Sequence, residues 1–247
     1  MIPKIIHYCW LSGNPFPDTI KRCMNTWKKK MPDYEFILWD TNKFDINSSI
    51  WVKQAFEAKK YAFAADYIRL YAVYNYGGIY LDTDVEVLKD FTPLLNYPYF
   101  LGVENEKEGV IEAATFGAEP KNIYIKKCLD YYNNRTFIKS DGSFDTRSLP
   151  PIMKECLKDI IYLKTIKDFK LNQCNIQLLP VEYFSPKNYL NGKMTNLTNK
   201  TYSIHHFRAS WFTKKQKIVL LSFRILGPKT TSALHAVYNK FKNIFKI

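Results

Sequence analysis

Apolar residues fall in short blocks along the chain, and the spacing inside each block separates strand from helix. Lys4-Ile5-Ile6-His7-Tyr8-Cys9-Trp10 is a nearly unbroken run halted by Ser12-Gly13-Asn14-Pro15, the pattern of a first strand. Helical spacing follows from Asp18, placed as a cap, to about Lys30, with Pro32 closing it. Tyr34 to Trp39 reads as a second strand ending at Asp40. From Ser49 to Tyr76 the pattern is helical and rich in Ala, and Gly77-Gly78 supply a stop. Ile79-Tyr80-Leu81 is the next strand, and Val85 to Leu88 continues extended. Strand, helix, strand, helix, strand predicts an α/β fold with a mostly parallel sheet flanked by helices. Ligands of such sheets collect beyond the carboxyl ends of the strands, where Trp10, Asp40 and Asp82 all fall.

The second half is less regular. Tyr99 to Val103 and Ala113 to Gly117 read as short strands, and helices are expected near Asn122 to Tyr132 and Pro151 to Ile161. Ile176 to Pro180 and Thr201 to His206 read as extended. Lys214 to Leu226 and Thr231 to Ile247 have the pattern of basic amphipathic helices broken by Gly227-Pro228. The expected division is a domain over 1–211 and a basic helical tail over 212–247.

Composition narrows the class. The 247 residues are 47% apolar and 16% aromatic, enough to fill a sizeable core. No run of 18 apolar residues predicts a membrane span, and the first residues lack the pattern of a signal peptide. Five cysteines without a C-x-x-C pair are expected to be reduced core thiols of a cytoplasmic protein. Net charge is +13, and residues 211–247 contribute eight Lys or Arg with no acid. Such a tail suits an anionic membrane surface, nucleic acid or simple solvation; its interleaved apolar residues favour the membrane over nucleic acid.

The candidate chemistry centres on Gly77-Gly78-Ile79-Tyr80-Leu81-Asp82-Thr83-Asp84. In an extended chain, side chains two apart project to the same side, so two carboxylates converge after a buried strand. Like charges placed together need a cation, and Mg²⁺ or Mn²⁺ shared with substrate phosphates fits oxygen ligands. Asp82 and Asp84 are therefore the candidate catalytic pair. Asp66 and Arg69 share a helix face within an apolar surround, suited either to an ion pair or to a ribose hydroxyl and a phosphate. Trp10 could stack on a base. His205 and His206 are adjacent, so at most one of them reaches a metal.

Ile2-Pro3-Lys4-Ile5-Ile6-His7 through Trp10, Asp66-x-x-Arg69, Gly77-Gly78-x-Tyr80-x-Asp82-x-Asp84 and His205-His206 through Ser210-Trp211 together resemble glycosyltransferase family 32. That family holds bacterial capsule and O-antigen sugar transferases and Golgi mannosyltransferases. The resemblance implies a GT-A, Rossmann-like fold, retention at the anomeric carbon, and Mn²⁺ (or Mg²⁺) as cofactor. It implies a nucleotide-sugar donor, UDP-linked before GDP-mannose, and a glycan or lipid-linked glycan acceptor of surface polysaccharide assembly at the inner membrane face. By the same resemblance Trp10, Asp66, Arg69, Asp82, Ser210 and Trp211 bind the nucleotide-sugar, while Asp84 and His206 ligate the metal. Many relatives carry Thr-Gly-Pro where this chain has Arg147-Ser148-Leu149-Pro150-Pro151. Two other classes fit parts of the pattern. A haloacid-dehalogenase-like phosphatase shares the Asp-x-Asp, although Glu86 stands where it needs Thr or Val, and a non-catalytic basic binding module would explain only the tail.

Overall fold

The computed structural model describes residues 1–105, 109–158, 176–189, 191–208, 214–227 and 230. Among the described residues, eight strands are β1 (Ile5–Cys9), β2 (Glu35–Trp39), β3 (Gly78–Leu81), β4 (Val85–Val87), β5 (Tyr99–Asn105), β6 (Val110–Ala118), β7 (Gln177–Leu179) and β8 (Ser203–His205). Helices are α1 (Asp18–Lys30), α2 (Ile50–Glu57), α3 (Tyr61–Tyr76), α4 (Ile123–Asp130), α5 (Leu149–Cys156), α6 (Val181–Phe184) and α7 (Lys214–Leu226).

Six strands form one sheet in the order β2-β1-β3-β6-β5-β7, while β4 and β8 pair separately. The β1–β2, β1–β3 and β5–β7 pairings are parallel, and β6 runs antiparallel to both β3 and β5. The expected α/β class, with a mostly parallel sheet covered by helices, is what the chain adopts.

Strand alternation sends side chains to two separate cores. Tyr80, Leu101 and Phe116 pack with Trp51, Phe63 and Ile68 of α2 and α3. Ile79, Leu81 and Phe100 pack on the other face with Trp27 of α1, Val85, Val87 and Phe184. A two-residue period on strands buried on both faces requires this division.

Several local expectations shift. Asp18 is the first residue of α1 rather than its cap, so it complements the helix dipole without making a cap hydrogen bond. The long helical stretch is two helices, because Lys59 turns with φ 56° between them. The Asp82 to Asp84 segment is a turn, closed by Val85 N–H donating to the Asp82 carbonyl at 3.0 Å, so the strand does not run on. At Gly77 the chain leaves α3 with φ 66°, and a Cβ there would lie 2.7 Å from Pro120 and 2.9 Å from Pro3. Only glycine fits that corner. The turn delivers β3, and hence Asp82, to the sheet's centre. Of the expected tail, α7 is described, and Thr231 to Ile247 lie outside the described residues.

Candidate metal and nucleotide-sugar site

A cleft of about 720 Å³ opens at the carboxyl ends of β1 and β3 and along the start of β6. Trp10, Asp66, Arg69, Asp82, Asp84, Glu112 and His205 all line it.

Arg69 is its keystone. The guanidinium lies on the buried face of α3 and contacts Asp82 through both terminal nitrogens, Nη2–Oδ1 at 3.2 Å and Nη1–Oδ2 at 3.4 Å. Nη2 also meets Asp66 Oδ1 at 3.2 Å, Nη1 donates to the Ala113 carbonyl at 2.8 Å, and Nε donates to the Ala65 carbonyl at 3.4 Å. Its plane sits 4.5 Å from the Tyr80 ring, whose hydroxyl donates to Asp82 Oδ1 at 2.9 Å. Burial opposes the charge on Arg69, and the carboxylates of Asp82 and Asp66 outweigh it and keep the group cationic. For Asp66, burial prevails over the pull of Arg69 and raises the carboxyl to about 7. Asp66 Oδ2 also accepts the Leu149 N–H at 3.1 Å. The segment that departs from Thr-Gly-Pro is thus the one that docks its helix start onto Asp66.

The compensation for the two aspartates is divided. Asp82 faces Arg69, whereas Asp84 Oδ2 accepts the Arg208 N–H at 2.9 Å and its Oδ1 lies 3.6 Å from His205 Nε2. Ligand atoms of Asp82, Asp84 and His205 all lie within 4.8 Å of one another. Two carboxylates and an imidazole, converging from a turn and a strand end, are a donor set suited to a divalent cation. Burial disfavours charge on His205, but Glu112 and Asp84 outweigh it and push the imidazole up to about 10.

The histidine of this cluster is His205, not the expected His206. His206, just past the end of β8, turns to the opposite side, where Nε2 lies 2.9 Å from Glu86 Oε2 and Nδ1 3.4 Å from Lys187. Trp10 lines the cleft, with its Nε1–H donating to the Asn14 carbonyl at 2.6 Å and its ring centroid 4.8 Å from that of Phe16. Asp40 caps its own turn by accepting the Asn42 and Lys43 N–H groups. Ser210 and Trp211 lie outside the described residues.

Residues 17–101 match the family described as the glycosyltransferase sugar-binding region containing the DXD motif. The matched span holds every residue from Asp66 to Asp84. The chain is 32% identical over 125 residues to inositol phosphoceramide mannosyltransferase 3 of Schizosaccharomyces pombe, covering 47% of this chain and 35% of that protein. It is 31% identical to mannosyl phosphorylinositol ceramide synthase SUR1 of Saccharomyces cerevisiae, covering 56% of this chain and 37% of that one. Mouse lactosylceramide 4-alpha-galactosyltransferase is 29% identical, covering 57% of this chain and 39% of the relative. The chain thus spans well under half of the length of these relatives. Among solved structures it is similar to the PaToxG glycosyltransferase, with TM-score 0.47 and 20% identity over 65% of this chain and 70% of that one. The galactosyltransferase LgtC, crystallised with donor and acceptor analogues, gives 0.36 and 14% over 72% and 74% of the two chains. None of the curated relatives named here is a capsule or O-antigen enzyme.

Sequence reasoning missed Glu112. It hides inside the apolar run Val110-Ile111-Glu112-Ala113-Ala114, where a lone acid was the available sign of a buried polar role.

Proposed function

We propose that this chain is a divalent-cation-dependent glycosyltransferase that takes a sugar from a nucleotide-sugar donor. The observation that carries the reading is the convergence of Asp82, Asp84 and His205 on the floor of the cleft. A bound cation would supply stabilisation of the negative charge that grows on a departing nucleotide diphosphate. Asp84 and His205 are the residues placed to hold it, with Asp82 contributing from beside Arg69. Trp10 offers a wall for the base. Asp66 lines the ribose side, while Arg69 fixes Asp66 and Asp82 in place rather than reaching outward. Retention of configuration belongs to the same proposal.

The phosphatase alternative requires an Asp82 carboxylate free to attack phosphorus. Both Asp82 oxygens are engaged by Arg69, and one also by Tyr80, which disfavours it.

The relatives' names favour a mannosyl donor over the UDP-sugar that the sequence resemblance puts first, and a lipid acceptor over a polysaccharide. A lipid acceptor agrees with α7. Ile218, Leu221 and Ile225 form an exposed apolar stripe there, flanked by exposed Lys217 and Arg224. No helix among the described residues is long and apolar enough to cross a membrane. We place the protein peripherally on an anionic membrane face, with α7 lying in the interface. Calorimetric titration of a donor panel with Mn²⁺ present tests the donor. GDP-mannose binding tighter than the UDP-sugars is expected, and absence of binding by every nucleotide-sugar overturns the proposal. Co-sedimentation with anionic vesicles, lost on Ile218→Glu with Leu221→Glu, tests the surface.

A further inference from the structure

Glu112 lines the cleft with a fully buried side chain and belongs to none of the sequence motifs that mark the site. Burying a carboxylate is costly without partners, so its contacts indicate what it is for. Oε1 accepts the Ala114 N–H at 2.6 Å, and Oε2 accepts the hydroxyl of Ser185, at the end of α6. The same Oε2 lies 3.4 Å from His205 Nδ1. That separation is an ion-pair distance without hydrogen-bond geometry, and among the described residues Nδ1 has no hydrogen-bond partner. The two imidazole nitrogens therefore divide their neighbours: Nδ1 faces Glu112 and Nε2 faces Asp84.

Imidazole that ligates a metal through one nitrogen needs its other N–H held, because the ring otherwise rotates and takes the wrong tautomer. We propose that Glu112 is the positioning residue of the cation site, its tethered carboxylate holding the His205 ring so that Nε2 faces the two aspartates. This inference rests on the reading of Asp82, Asp84 and His205 as a cation site. In this role Glu112 acts through His205. The tethers explain why a buried acid is tolerated here. With Oε1 fixed to β6 and Oε2 to the end of α6, the carboxylate cannot swing away, so the ring it faces inherits a fixed orientation.

Calorimetry and electron paramagnetic resonance with Mn²⁺ alone, on the full chain without donor, read the effect directly. Glu112→Gln keeps size and is expected to weaken Mn²⁺ binding about 10–100-fold. In a His205→Ala background the same change is expected to add nothing, which a purely structural role for Glu112 would not produce. Thermal unfolding run in parallel controls for folding. Should Glu112→Gln fail to fold, Ser185→Ala removes one tether and is expected to weaken Mn²⁺ binding several-fold, again only when His205 is present. Undiminished Mn²⁺ affinity in both folded variants, or equal losses with and without His205, overturns the positioning role while leaving the cation site intact. Absence of Mn²⁺ binding by the unaltered chain overturns the cation reading and the inference with it.

Discussion

Arg69 grips Asp82 with two nitrogens, at 3.2 and 3.4 Å, although they lie thirteen positions apart across a helix-to-strand turn. The same guanidinium holds Asp66 one helical turn away, so one cation serves two carboxylates. Removing it would leave both acids uncompensated, Asp66 in a nearly dry position. Loss of one partner from a buried pair costs about 3–5 kcal/mol. Arg69→Ala is expected to lose stability on that order in denaturant titration. Arg69→Lys is expected to recover little of it, because an ammonium cannot reproduce the fork. A fully stable Arg69→Ala protein would show that the pairs contribute nothing.

The Gly77 corner sets where β3 begins. A Cβ there meets backbone and ring atoms of Pro120 at under 3 Å, with φ at 66° adding strain. Gly77→Ala is expected to cost about 1–3 kcal/mol in denaturant unfolding. Gly142→Ala, also at positive φ but with nothing within 4 Å, is expected to cost less.

His7 links the strands beneath the site. The Trp39 indole N–H donates to His7 Nδ1 at 3.0 Å, so the ring proton resides on Nε2 and donates to the Gly77 carbonyl at 2.8 Å. Burial pushes this imidazole down to about 4, against 6.5 when unfolded. Between those values the unfolded chain binds more protons. His7 therefore contributes stability that is complete above about pH 6.5 and is lost as pH falls toward 4, on the order of 3 kcal/mol at most. Asp66, raised to about 7, runs the opposite way across much of the same range. The difference between the unaltered chain and His7→Gln isolates the histidine: it is expected to grow with pH from 4 to 6.5 and then level off. A pH-independent difference would contradict the buried neutral ring.

Those elements also show what the sequence made legible. The first half followed from period and punctuation: β1, α1, β2 and β3 lie within a residue or two of where apolar runs, Pro32 and Gly77-Gly78 placed them. The break between α2 and α3 carried no such mark, because Lys59 takes a left-handed turn without glycine. Asp82 and Asp84 were evident as a pair, but their partners were not. Arg69 reaches Asp82 only through the fold, His205 replaces His206 through β8 register, and Glu112 looks like an interruption of a strand. Leu149 meets Asp66 through its backbone N–H, which no side-chain pattern announces.

The most direct measurement is release of nucleotide diphosphate from GDP-mannose and a panel of UDP-sugars, with Mn²⁺ or with chelator, for the unaltered chain and Asp84→Asn. Turnover that needs Mn²⁺, stops in chelator, and falls by two or more orders of magnitude in a folded Asp84→Asn is the predicted result. Equal turnover with chelator, or a fully active Asp84→Asn, would contradict it.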